Sequence, residues 1–349
     1  MDSTSSSNGP LRVAIMGSGN WGSAIAKIVG ENVKLHSDLF HTTVNMWVYE
    51  ELIEGQKLTD IINTKHENVK YLPGIGLPEN VIAVPDSVEA AKGANLLIFV
   101  LPHQFVEGLC KKLKGHIAPD CKAISLIKGM LVENGSPKLI SQLIHDALEV
   151  NTAVLMGANI ATEVAKGELS EATIGFREEV ETAKVWQKLF NTSTFRINII
   201  EDVAGVELCG ALKNIVAIGA GFCDGLGLSP NSKVAIIRCG LAEMRKFCES
   251  FYSGIAPDTF FESCGAADLI VTCYCGRNRK VAEAFAKTRK SFDELEQEML
   301  NGQKLQGTLT AKEVHEILEN KGLLHEFPLF TKIYNISYEG EDPATITQF

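Results

Sequence analysis

Leu11–Gly22 reads LRVAIMGSGNWG. Arg12 to Met16 has the composition of a short buried strand, and Ser23 to Val29 takes up helical spacing. Between them stands Gly17-Ser18-Gly19-Asn20-Trp21-Gly22. Strand, G-x-G-x-x-G and helix in that order form the dinucleotide-binding fingerprint. Gly17 permits the tight turn, Gly19 lets the backbone approach a pyrophosphate, and Gly22 allows close packing of helix on strand. The helix that follows presents unpaired N–H groups and the positive end of its dipole to the phosphates. The expectation is a nicotinamide or flavin site rather than a bare glycine turn.

The chain continues by alternating strand and helix. Thr43–Tyr49, Val81–Val84, Ala94–Leu101, Lys122–Ile127, Ala153–Met156, Ala172–Phe176 and Phe195–Ile200 read as further strands. Ligands bind beyond the carboxyl ends of a parallel sheet. Those positions hold Gly17–Gly22, Glu50, His103–Phe105, Lys128 and Gly157–Ala161. An acid after the second strand binds ribose hydroxyls and disfavours a 2′-phosphate. Glu50 therefore favours NAD over NADP, although its connection from Gly22 exceeds the usual ~20 residues.

From about Asp202 the pattern changes to long helices. Val203–Ile218 is apolar on most sides yet carries Lys213 and Asn214 in its middle. Burial disfavours a charged amine and lowers its pKa, which suits a proton donor and acceptor. The plainer alternative is a lysine snorkelling to the surface. Lys128, equally, is either a cation for a substrate oxygen or an exposed lysine in a turn. Asp268 and Thr272 lie four apart, on one face if that segment is helical, and Arg277 follows with a forked donor suited to phosphate; the plainer alternative is an ordinary solvated charge run. Gly302–Gly307 is a polar loop, either a connection or a lid. The expected architecture is an α/β Rossmann-type parallel-sheet domain over residues 1–200 and an all-α domain over 201–349.

Composition sets limits. With 33 basic against 43 acidic residues, the net charge of −10 argues against a broad nucleic-acid or membrane surface. No apolar run approaches the ~20 residues of a membrane span. The polar start MDSTSSSNGP lacks a signal-peptide pattern and reads as an unstructured lead-in. Nine cysteines without a secretory signal point to free thiols in a reducing compartment. Cys273 and Cys275 flank a tyrosine without a recurring C-x-x-C pair, so no metal is expected.

The stretches GSGNWGSAIAKIVG, HENVKYLPG, IFVLPHQF, SLIKG, VLMGANIA, ELCGALKNIVAIGAGFCDGL, ESCGAADLIVTCYCGRNRKVAEAFA and LNGQKLQG span most of Val13–Gly307. Together they resemble the NAD-dependent glycerol-3-phosphate dehydrogenases of the eukaryotic cytosolic type. The resemblance implies hydride transfer between NADH and dihydroxyacetone phosphate in a cytoplasmic homodimer. It marks Lys213 as the catalytic lysine, with Lys128, Asn214, Asp268 and Thr272 beside the reacting groups. It implies NAD contacts from Gly17, Ser18, Gly19, Asn20, Trp21, Gly22, Tyr49, Phe105, Ala161, Arg277, Lys304 and Gln306. Substrate contacts are implied for Lys128, Arg277 and Asn278. Three departures stand out: Cys275 for a usual glycine, Thr308 for a usual proline, and a divergent tail after Tyr338. Two rivals remain open at this point, a ketopantoate or β-hydroxyacid reductase on the same plan and a non-catalytic NAD sensor.

Overall fold

The computed structural model describes residues 9–177 and 179–349. The first eight residues of the expected lead-in lie outside the described residues. Strand β1 (Leu11–Met16) passes through the glycine turn into helix α1 (Asn20–Leu35), and β2 (Phe40–Trp47) follows. A small hairpin, β3 (Leu52–Ile53) and β4 (Gln56–Lys57), leads to α2 (Leu58–Lys65). Then come β5 (Val81–Val84), α3 (Ser87–Ala91), β6 (Leu96–Phe99), α4 (Val106–Leu113) and β7 (Lys122–Ser125). A second hairpin, β8 (Leu131–Glu133) and β9 (Ser136–Lys138), precedes α5 (Ile140–Leu148) and β10 (Thr152–Met156). The sheet half ends with α6 (Ala161–Ala165), β11 (Ser170–Gly175), α7 (Val180–Phe190) and β12 (Phe195–Ile200).

Eight strands form one sheet in the order β12-β11-β10-β7-β6-β1-β2-β5. Six run parallel, as the alternating pattern implies, but β11 pairs antiparallel with β10 and carries β12 with it. β11 starts at the end where β10 stops, after a connection that carries the short α6.

This reversal positions the helical half. Because β12 ends at the edge where the parallel strands begin, α8 (Val203–Gly225) starts there, with Val206 against Gly175. It then runs across the sheet until Gly210 lies against Met156, the last residue of β10, and against Lys128. Lys213, one turn further on, is delivered to the carboxyl edge. Every residue of α8 from Val203 to Cys223 is buried, so its apolar length reflects a protein interior. Around it pack α9 (Pro230–Phe251), α10 (Asp268–Cys275), α11 (Arg277–Thr288), α12 (Phe292–Leu300), α13 (Gln306–Asn320) and α14 (Pro328–Tyr338). The divergent tail turns back onto this body, burying Ile346 and pairing Asp342 with Arg289 at 3.0 Å.

Glu207 ties the two halves together. Helix α5 begins after Leu139, whose side chain offers no cap. The fully buried Glu207 carboxylate of α8 instead accepts from the N–H groups of Ile140 and Ser141 and from the Ser141 hydroxyl. Burial raises this carboxyl to about 7. Its folded pKa thus exceeds the unfolded one, so its contribution to stability is complete below about 4.5 and is lost as pH rises through 7. Glu207→Ala removes the cap and leaves a cavity, and should cost about 3 kcal/mol in denaturant unfolding. An unchanged midpoint would show that α5 and α8 are held by packing alone.

Candidate active site

The cradle is built from backbone. Gly17 sits at φ +132°, and a Cβ there would lie 2.5 Å from the Val100 carbonyl oxygen. A Cβ on Gly22 would meet the Gly17 carbonyl oxygen at 2.5 Å. At Gly19 a Cβ would meet no atom within 4 Å. It would project into the space over the first turn of α1, where a pyrophosphate can be held by backbone N–H groups. The turn is braced from below, since the buried Ser18 carbonyl accepts from Asn68 Nδ2 at 2.8 Å and Ser23 Oγ at 3.2 Å. Asn20 donates to the Tyr71 carbonyl at 2.7 Å, and Trp21 packs edge-on against Phe195. Those two side chains therefore brace the cradle while their backbone faces it. These features fit a dinucleotide.

Tyr49 and Phe105 follow the ends of β2 and β6 and expose 72% and 56% of their surface. Such exposed rings at this edge are walls suited to flat ring systems. Ala161 opens α6 within a small apolar cluster that includes Trp21. The acid expected at the ribose is otherwise engaged. Glu50 accepts from the Thr59 hydroxyl at 2.6 Å and its N–H at 3.3 Å, capping α2, while Glu51 pairs with Lys70 and Tyr71. Preference against a 2′-phosphate thus does not rest on a free carboxylate at Glu50.

The buried charged side chains converge above the sheet edge. Lys213, 4% exposed, donates to the Asp268 carboxylate and to Thr272 Oγ1 at 2.8 Å. The Thr272 hydroxyl hydrogen is committed to the Asp268 carbonyl at 2.6 Å, which leaves its oxygen to face the amine. Lys128 Nζ reaches the other Asp268 oxygen at 3.1 Å, the Gly157 carbonyl at 3.1 Å and Asn159 Oδ1 at 3.3 Å. A single π-helical turn, Ser263–Ala267, precedes α10 and aims Asp268 between the two lysines. Desolvation pushes the Lys213 amine down to about 7, and Lys128 adds to this, while Asp268 opposes it. The snorkelling alternative is thereby excluded.

On the other side, Asn214 accepts from Asn278 Nδ2 at 2.9 Å, and Asn278 Oδ1 accepts from the Gly307 N–H at 2.8 Å. Arg277 is exposed and donates to Gln303 at 3.2 Å, which couples it to the loop before α13. Lys304 pairs with Asp293 at 2.7 Å and Glu296 at 2.9 Å, and Gln306 donates to Thr310 at 3.3 Å. Lys304 is therefore held to α12 and Gln306 to its own helix, unlike the lysine pair. Cys275 is exposed at the cavity wall, and Thr308 bonds the Leu305 carbonyl within the first turn of α13. Neither departure removes a polar group from the cluster. The cavity enclosed by Lys128, Asn159, Lys213, Asp268, Arg277 and Asn278 measures about 350 Å³. A larger hollow of about 450 Å³ near Ser141, His145 and Arg177 lies at the amino end of β10, away from this cluster. Among the described residues no group of three His, Cys, Asp or Glu side chains is placed to hold a metal.

Two family models match the chain, the NAD-dependent glycerol-3-phosphate dehydrogenase N-terminus over residues 12–182 and the corresponding C-terminus over 202–348. The chain belongs to the NAD-dependent glycerol-3-phosphate dehydrogenase family. The cytoplasmic NAD(+) glycerol-3-phosphate dehydrogenase of Rattus norvegicus is 57% identical over 331 residues, covering 95% of this chain and 94% of that protein. The Cuphea lanceolata enzyme is 56% identical over 342 residues, covering 97% and 91%. The solved Saccharomyces cerevisiae glycerol-3-phosphate dehydrogenase superposes with a TM-score of 0.93 at 45% identity, covering 97% of this chain and 99% of that one. A ketopantoate reductase of Ralstonia eutropha shares the fold alone, at 14% identity and a TM-score of 0.52. The family assignment favours the first of the three readings left open by the sequence.

Proposed function

We infer that this chain reversibly reduces dihydroxyacetone phosphate with NADH to sn-glycerol 3-phosphate. The observation that carries the chemistry is the buried Lys213 amine, held near neutrality between Asp268 and Thr272. Bound NADH supplies the hydride. Arg277 and Asn278 hold the substrate phosphate, which fixes the ketone and lets remote binding energy serve the reacting centre. As negative charge grows on the ketone oxygen, protonated Lys213 donates its proton. Lys128 stabilises the same charge through space. In the reverse direction neutral Lys213 takes the hydroxyl proton. Asp268 holds both lysines in place and keeps Lys213 partly protonated at pH 7.

Family membership supports NAD as the cofactor, and the open space at Gly19 accommodates its pyrophosphate. We further propose that residues 1–200 bind the nucleotide and 201–349 supply the catalytic helices, a division supported by the change of pattern at Asp202. A cytosolic location is proposed from the relatives named cytoplasmic, and a homodimer from the family resemblance alone. An NADH-absorbance assay tests the reading: dihydroxyacetone phosphate should be reduced, and its unphosphorylated counterpart reduced far less well. Equal use of the two ketones would contradict the phosphate site.

A further inference from the structure

Asn159 stands in the turn after β10 and is 8% exposed. Its Oδ1 accepts from Lys128 Nζ at 3.3 Å, whereas its Nδ2 has no hydrogen-bond partner among the described residues. The amide cannot be turned over without loss, because an ammonium only donates and so requires the oxygen. A buried donor left unpaired bears the full cost of its lost hydration. Buried polar groups of this kind ask for an explanation, and here the residue lines the cavity of Lys213, Asp268 and Arg277.

The order of hydrogen bonds locates Asn159 relative to the substrate. Asn159 bonds Lys128, Lys128 bonds Asp268, and Asp268 bonds Lys213. On the far side of Lys213, Asn214 bonds Asn278, the neighbour of Arg277. In this order of bonds Lys213 and its neighbour Asn214 come between Asn159 and Asn278, and all of them line one cavity with Arg277. Dihydroxyacetone phosphate has the same order, with phosphate at one end, the ketone in the middle and a free hydroxyl at the other. If the phosphate lies at Arg277 and the ketone oxygen at Lys213, the free hydroxyl is left to the Asn159 end of the cavity.

We propose that Asn159 Nδ2 donates to the free hydroxyl oxygen of the substrate and makes that hydroxyl a determinant of specificity. This rests on the hydride-transfer reading above. A site built to hydrogen-bond a substrate hydroxyl discriminates against the analogue lacking it. The competing role is purely structural, with Asn159 serving only to anchor Lys128.

The test compares kcat/KM for dihydroxyacetone phosphate and for acetol phosphate, in which a methyl replaces the hydroxymethyl group. Wild type, Asn159→Ala and Asn159→Asp are assayed with NADH. Asn159→Asp keeps an oxygen for Lys128 and removes the donor; the negative charge it adds beside Lys128 acts on both ketones alike, so the ratio between them separates the two roles. Wild type should prefer dihydroxyacetone phosphate by about tenfold or more, and in both variants that preference should collapse towards unity. Variants that slow both substrates by the same factor and keep the wild-type preference would overturn the proposal, as would a wild type without any preference. If wild type reduces neither ketone, the hydride-transfer reading itself is wrong and this inference falls with it.

Discussion

Lys213→Ala is expected to lower kcat by about 10³-fold or more in both directions, with NADH affinity by fluorescence titration little changed. General acid–base catalysis by a positioned side chain contributes about 10²–10⁴-fold. Lys213 also balances charge at Asp268, which adds to the loss. Lys128 cannot take over, because its ammonium is tied to the Gly157 carbonyl and Asn159 as well as to Asp268. The fold should survive, since Asp268 retains Lys128 as counter-ion when the second amine is removed. Turnover near the wild-type rate would take Lys213 out of the chemistry.

Arg277→Ala is expected to reduce kcat/KM for dihydroxyacetone phosphate by about 10²–10³-fold, mostly through KM. A guanidinium bonds phosphate through two parallel N–H groups, and charged hydrogen bonds of this kind are worth about 1.5–3 kcal/mol each. Among the described residues, one hydrogen bond, to Gln303, occupies the Arg277 fork. Dihydroxyacetone, which lacks the phosphate, should be affected much less. A uniform loss on both ketones would place Arg277 at the nucleotide instead of the substrate. Arg277→Lys should recover only part of the loss, because an ammonium lacks the planar fork.

The parts legible in the sequence were those with local causes. Gly17, Gly19 and Gly22 announce the cradle because each is needed for a backbone approach within a few residues of itself. The apolar run around Lys213 announces a buried amine, since a lysine in such a run has few routes to water. Asp268 and Thr272 share a face through helical spacing alone. What stayed hidden depends on contacts between distant segments. Nothing near Ser170–Gly175 signals its reversal, and the length of α6 does not either, since the equally short α3 serves a parallel crossover between β5 and β6. Glu50 has the right place for a ribose acid, yet Thr59 nine residues later claims it. Glu207 looks like one polar residue in an apolar helix until α5 arrives without a cap of its own. The free amide hydrogen of Asn159 becomes visible only when Lys128 is seen on its oxygen.

The most direct test of the account is the pH dependence of kcat/KM measured in both directions. Lys213 titrating near 7 must be protonated to reduce the ketone and neutral to oxidise the alcohol. Ketone reduction should therefore fall, and alcohol oxidation rise, as pH increases through about 7. The substrate phosphate also titrates near 6, but it acts in the same sense in both directions and cannot produce opposed slopes. Two profiles that bend the same way, or show no inflection between about 6 and 8, would contradict the assignment of Lys213 as the group that moves the proton.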